Sequence, residues 1–189
     1  LGNFDHLARE VLANRLEFAI ADTTAAERHP TRLAIEPIAE HRVFFFVRHG
    51  HPLLANKDVT LETILACPLV GPRLPQRIAA HVAKSSANAK VDRESGDVTP
   101  GLMLDAFGVA RNVVLSGNAV GLAPFAALEA DLRGGRIALL PFTAPWMHLS
   151  YGLFYPRKRS LSRVAQLFVT QLRQVEAALQ AREQRALVR

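Results

Sequence analysis

The sequence predicts an α/β protein in which helices alternate with short buried strands, and three stretches predict it. The first is VVLSGNAVGLAP, residues 113–124. Val109, Val113 and Val114 recur at helical spacing. Gly117 is a residue able to take a left-handed helix cap. Ala119–Leu122 is short and apolar, and reads as a buried strand in which Gly121 admits another backbone closely. Pro124 then starts the next helix. The second stretch is HRVFFFVRHGHPLL, residues 41–54, where Val43–Val47 runs without polar alternation and predicts a strand buried on both faces. The third is LSYGLFYPRKRSLS, residues 149–162, a strand and turn leading to a helix capped by Ser162.

The remaining elements follow in order. Asp5 is the expected N-cap of a helix carrying Leu7, Val11 and Leu12. Asn14 ends it, and residues 13–22 pass from helix to buried strand. Residues 22–33 are polar, and Leu33–Ile38 is a short extended piece. Thr60 caps a helix over Leu61–Leu65, Leu69–Val70 is a strand, and GPRLPQR (71–77) is a loop holding two prolines. Ile78, Ala79, Val82 and Ala83 mark a helix, and residues 84–100 read as irregular. Leu102–Leu104 is a strand and Asp105 caps the helix that Gly117 ends. Phe125, Leu128 and Leu132 line a helix closed by Gly134-Gly135, and Ile137–Leu140 is a strand. The last helix carries Val164, Phe168, Leu172, Val175 and Leu179 on one face.

Composition bounds the function. At 189 residues and 49% hydrophobic, the chain holds one or two small domains with a real core. No apolar run approaches the roughly 18–20 residues of a membrane span. The single cysteine, Cys67, excludes an internal disulfide and points to a reducing, cytoplasmic setting. The net charge is +6, concentrated in a knot at Arg157, Lys158 and Arg159 and in the last helix. With no aromatics interleaved for base stacking, this reads as a solvated basic surface. Phosphate-loop, dinucleotide and nucleophile-elbow motifs are absent, so no enzyme chemistry is indicated. His49 and His51 with Cys67 downstream are weak metal candidates, and the expectation is none. His51 should pack ahead of Pro52, His49 should lie on the surface, and Trp146 should anchor a loop.

The ordered segments resemble the effector-binding domain of LysR-type transcriptional regulators. VVLSGNAVGLAP resembles the family's G-x-G-x-x-x-x-P turn, with the second glycine displaced to Gly121. ANRLEFAI resembles G-x-L-D-L-A-I, with Asn14 for the glycine and Glu17 for the aspartate. A long buried strand followed by His51-Pro52-Leu53 is a further family feature. The resemblance implies an α/β, periplasmic-binding-protein-like (type 2) fold: two α/β subdomains joined by two crossing strands, Val43–His49 and Ser150–Tyr155. Subdomain I would be 1–48 and 151–189, and subdomain II 49–150. Because the chain opens without methionine, it reads as a fragment. Its winged helix-turn-helix, and the N-terminal part of subdomain I, would be absent.

The resemblance also implies a function. A small-molecule effector, of which a carboxylate is one form, would bind between the subdomains and control DNA binding by the full-length protein. The implied contacts are Asn3, Phe4, Thr23, Thr24, Arg73, Pro75, Gln76, Arg77, Asp105 and Phe107. Three of their loops precede helices, whose unpaired N–H groups favour an anion, and Arg73 or Arg77 could pair with a carboxylate. No cofactor is expected. The implied assembly is a homodimer or homotetramer, drawing on helices near 76–86 and 106–116, with DNA contacted only through the absent N-terminal domain and no membrane partner. A transporter solute-binding protein of the same fold is the alternative.

Overall fold

A computed structural model of the chain describes residues 4–23, 32–72, 74, 76–85, 90–91, 98–99, 101–104 and 106–187. The helices are α1 (Phe4–Leu12), α2 (Leu61–Leu65), α3 (Gln76–Ser85), α4 (Phe107–Ser116), α5 (Phe125–Arg133) and α6 (Arg163–Leu187). The strands are β1 (Ala19–Asp22), β2 (Leu33–Arg48), β3 (Leu69–Gly71), β4 (Lys90–Val91), β5 (Val98–Thr99), β6 (Leu102–Met103), β7 (Val120–Pro124), β8 (Ile137–Leu139) and β9 (His148–Pro156). The chain divides into two compact units: unit 1 is Leu1–His41 with Leu149–Arg189, and unit 2 is Arg42–His148.

In unit 1 the strand order is β1-β9-β2, with β1 antiparallel to β9 from Ala19↔Phe154 to Asp22↔Tyr151. Ala8 and Val11 of α1 are buried with Ala19 and Leu33, and Leu7 and Leu12 pack against them. The helix already begins at Phe4, so Asp5 lies in its first turn and is not the cap expected from the sequence. Asn14 takes φ +58, the left-handed conformation that Asn tolerates better than most residues. The extended piece at Leu33–Ile38 is not separate. It forms one 16-residue strand with the apolar run that follows.

Ser162 caps α6, its Oγ accepting from the Ala165 N–H at 3.2 Å. Glu17 accepts in turn from the Ser162 N–H and hydroxyl. The buried face of α6 overlaps the expected one only in part, with Leu172 and Leu179 half-buried. Ala165 and Val169 are buried, whereas Val164 (77%), Phe168 (50%) and Val175 (56%) are exposed.

In unit 2 the sheet runs β2-β7-β3-β6, and β8 also pairs with β2. β7 and β8 are antiparallel to β2, while β3 is parallel to both β7 and β6. Val43–Val47 are all buried, as an unalternating apolar run requires. Phe44, Phe46, Val114, Phe125 and Leu128 belong to one core cluster. Gly121 does admit a close neighbour, but it is a ring rather than a backbone. A Cβ there would sit 2.3 Å from Cε1 and Cζ of Phe46.

Gly117 also differs from expectation. It ends α4 at φ −145°, an extended conformation open to any residue. The turn is held from β2 instead: Arg48 Nε donates to the Gly117 carbonyl at 3.0 Å, and Nη2 to Asn118 Oδ1 at 2.9 Å. Ala106, not Asp105, occupies the N-cap of α4, with no side-chain capping bond. Thr60 caps α2 in a reciprocal box with Thr63. The stretch 84–100, expected to be irregular, contains an antiparallel pair, β4 with β5.

Candidate functional site

The best-described site lies in unit 1, where β1 ends at Asp22 and Thr23 follows. Thr23 lines a cavity of about 530 Å³ whose other walls include Ile35, Pro37 and Glu40 of β2, Ser150 and Tyr151 of β9, and Gln180 of α6. Gly152 makes room for Thr23: a Cβ at that glycine would lie 2.6 Å from the Thr23 methyl carbon and 3.2 Å from the Glu36 carbonyl.

The polar groups of the cavity are held in place. Ser150 Oγ donates to Glu40 Oε2 at 3.2 Å, and Gln180 Nε2 approaches the Glu40 carbonyl at 3.5 Å. Tyr151 stands between the cavity and a buried polar junction, with its ring centroid 5.9 Å from that of His41. His41 Nε2 lies 2.8 Å from Glu176 Oε2 and Nδ1 lies 3.4 Å from Glu183 Oε2. Burial, followed by the negative charges of Asp22 and Glu176, pushes the Tyr151 phenol above its ordinary pKa and keeps it a donor.

A cavity of this size accommodates a small metabolite. Thr23, Tyr151 and Gln180 offer neutral hydrogen bonds, and Glu40 offers an acceptor. Among the described lining residues there is no lysine or arginine.

Of the residues expected from sequence to contact an effector, Thr23 lines this cavity. Phe4 is the first residue of α1, and Gln76 and Arg77 open α3. Phe107 opens α4 and packs in the unit 2 core, its ring 6.3 Å from that of Phe46. Asn3, Thr24, Arg73, Pro75 and Asp105 lie outside the described residues. Sequence reasoning missed Glu40, Ser150, Tyr151 and Gln180. One signal was present, the polar Ser150-Tyr151 pair inside an otherwise apolar strand. Glu40 and Gln180 carry none, because long-range packing brings them in.

Other singled-out residues are placed as follows. His51 is buried, and its Nδ1 accepts from the Leu53 N–H at 3.1 Å, while His49 is exposed. Burial raises the Cys67 thiol pKa. No group of three metal-ligating side chains occurs among the described residues. Trp146 stacks on His81 with ring centroids 4.8 Å apart and planes 7° from parallel.

Residues 1–177 match the model of the LysR substrate binding domain. The chain belongs to that family. A curated relative is the SDS degradation transcriptional activation protein of Pseudomonas sp. (strain ATCC 19151). It is 28% identical over 165 residues, covering 85% of this chain and 51% of the relative. The LysR-family chain thus spans about half that relative's length.

Among solved structures, the cofactor-binding domain of the Cbl transcriptional regulator aligns with TM-score 0.64 and 17% identity, covering 89% of this chain and 70% of Cbl's. The CcmR regulatory domain of Synechocystis PCC6803, solved in complex with 2-PG, aligns with TM-score 0.67 and 13% identity, covering 92% and 80%. At these identities the likeness establishes the fold, periplasmic-binding-protein-like of type 2. Among the described residues, no helix is long and apolar enough to cross a membrane.

Proposed function

We propose that this chain is the ligand-sensing part of a LysR-type transcriptional regulator, whose small-molecule effector changes DNA binding by the whole protein. The match to the LysR substrate binding domain over residues 1–177 carries the reading. The same match favours a regulator over a transporter solute-binding protein. The curated relative, a transcriptional activation protein, supports this. A winged helix-turn-helix elsewhere in the protein would contact DNA. The chain would sense rather than catalyse, in the cytoplasm, as part of a homodimer or homotetramer.

The subdomains in this reading are 1–48 with 151–189, and 49–150. Thr23 is the effector contact with most support, because it lines a cavity of metabolite size. Asn3, Phe4, Thr24, Arg73, Pro75, Gln76, Arg77, Asp105 and Phe107 are proposed from the resemblance. Arg73 and Arg77 are the residues that would hold a carboxylate on the effector, since the described lining at Thr23 offers neutral groups and Glu40. An effector acts by binding one conformation of the regulator better than the other.

A thermal-shift screen of a metabolite library against the chain tests the reading. Hits should raise the melting temperature without being consumed. Their affinity should fall in Thr23→Val, and for carboxylates also in Arg73→Ala or Arg77→Ala, by about ten- to a hundredfold. A ligand bound equally well by all three variants would show that these residues are not the site.

A further inference from the structure

α6 carries apolar side chains on two adjoining faces, and only one of them is covered. Ala165 and Val169 are buried, whereas Val164, Leu167, Phe168 and Val175 are each half or more exposed. Along the 25-residue helix the exposed positions form one stripe. Val164, Phe168, Gln171, Val175 and Ala178 recur at alternating intervals of four and three, the spacing of a seam between two packed helices. Gln171 and Ala178 are exposed as well. Phe18 steadies the Phe168 ring from one side, with centroids 5.7 Å apart. Four large apolar side chains exposed to this degree amount to on the order of 400–500 Å², a patch size that is often functional on a monomer.

The stripe is graded in size, and the gradient says what fits it. Its N-terminal half is bulky, with Val164, Leu167 and Phe168, and its C-terminal half is small, with Val175 and Ala178. A second copy laid parallel sets Phe168 on Phe168 and leaves a gap between the two Ala178 side chains. Laid antiparallel about Gln171, the second copy presents Ala178 to Val164 and Val175 to Phe168. Each large side chain then faces a small one, and the seam fills evenly. Gln171 meets Gln171 of the second copy. An amide both donates and accepts, so the two satisfy each other and fix the register.

Charge favours the same arrangement. The carboxylates of α6, Glu176 and Glu183, are turned to His41, and Arg185 lies exposed in the last turn. A parallel pair sets the two Arg185 side chains together. An antiparallel pair holds them about 40 Å apart, far beyond the screening length of about 10 Å. Two such faces, with the polar groups between them, bury about 1,000 Å², the lower bound of a specific interface.

We infer that the exposed face of α6 is an interface between two copies of this chain, packed antiparallel about a twofold axis at Gln171. The contact is isologous, and its small area gives a dissociation constant in the micromolar range. Below that concentration the copies separate and α6 keeps the exposures given above. The interface uses neither α3 nor α4, so it stands apart from the assembly implied by the family resemblance.

Sedimentation velocity of the 189-residue chain over a range of concentrations tests this. Monomer and dimer should exchange, with no larger species. Val164→Lys and Val175→Lys alter exposed residues, so circular dichroism should show an intact fold. Each should raise the dimer Kd by at least about tenfold, because a twofold contact uses each residue twice. Val109→Lys, at an exposed apolar residue of α4, should leave the Kd unchanged. In a Cys67→Ser background, Gln171→Cys should cross-link two copies on mild oxidation and Arg185→Cys should not. A chain that stays monomeric throughout, assembly into larger species, or a dimer weakened by Val109→Lys and not by Val175→Lys would overturn the interface. Cross-linking through Arg185→Cys would overturn the antiparallel register.

Discussion

Unit 2 and unit 1 attach helices to their strands by different chemistry. In unit 2, α4 and α5 bury Ala110, Val114, Phe125 and Leu128 in a continuous apolar cluster with Phe44 and Phe46. The one buried carboxylate among its described residues, Asp131, lies between two arginines: Arg111 Nη1 is 3.2 Å from Oδ2, and Arg136 Nη2 is 2.5 Å from Oδ1 as an ion contact without hydrogen-bond alignment. In unit 1, the apolar side chains of α6 that are fully buried among the described residues are small, Ala165 and Val169, and the helix is pinned further along by Glu176 and Glu183 on His41. It leaves Leu167, Phe168 and Val175 exposed. Apolar burial is nondirectional and tolerant, whereas a buried His–carboxylate junction is stable only while every partner is present. Unit 1 should therefore be the more easily perturbed half.

The largest effect should come from breaking the polar junction. His41→Leu strands two carboxylates beside an apolar side chain. Leaving a buried hydrogen-bonding group without its partner costs about 1–3 kcal/mol for each group, and His41→Leu leaves two. Urea unfolding monitored at unit 1 checks this. A loss below about 1 kcal/mol would mean that the junction is no firmer than a surface pair.

The next effect belongs to unit 2. Gly121→Ala places a methyl group 2.3 Å from the Phe46 ring. Overpacking of this kind costs about 1–3 kcal/mol, and Phe46→Leu in the same chain should recover part of it. If Gly121→Ala unfolds like the native chain, the ring has room to move, and the unit 2 core is looser than its burial indicates.

A smaller effect separates the two faces of α6. Leu167→Ser and Val175→Ser should shift stability by no more than about 0.5 kcal/mol, since both residues are exposed. Ile137→Val in the unit 2 core should cost about 0.5–1.5 kcal/mol. Similar losses at all three positions would show that the exposed stripe of α6 is covered in solution.

The smallest effect is a titration. The chain has two tyrosines, Tyr151 and Tyr155. Both phenols are raised above the ordinary value, Tyr151 mainly by burial and Tyr155 mainly by its hydrogen bond to Glu36. A raised phenol keeps its proton in the folded chain after the unfolded chain has lost it. Stability should therefore hold below the ordinary tyrosine pKa of about 10 and fall as pH rises from there through the folded values. Phenolate absorbance of the folded chain should lag that of the urea-unfolded chain. Coincident curves would refute the burial of Tyr151.

The sequence by itself determined what depends on local chemistry. Val43–Val47 lacks polar alternation, so it is buried on both faces. Thr60 and Ser162 sit where a short side chain must satisfy open N–H groups. Asn14 replaces a glycine at a left-handed position and takes that conformation. The ordered segments carried the family resemblance, and with it Thr23. Only the tertiary structure decided what depends on neighbours distant in sequence. Arg48, nearly seventy residues away, holds the end of α4 that Gly117 was expected to shape by itself. Helical periodicity located the apolar stripe of α6 but not the full face that packs, because the adjoining face, with Ala165 and Val169, offered His41 two carboxylates. Gln180 reaches the Thr23 cavity, and Arg173 reaches Glu36, only because α6 lies along β2 and β9. Local rules fix backbone conformation through nearest neighbours. Sites and charge pairs depend on strand and helix packing, which no spacing within a single element encodes.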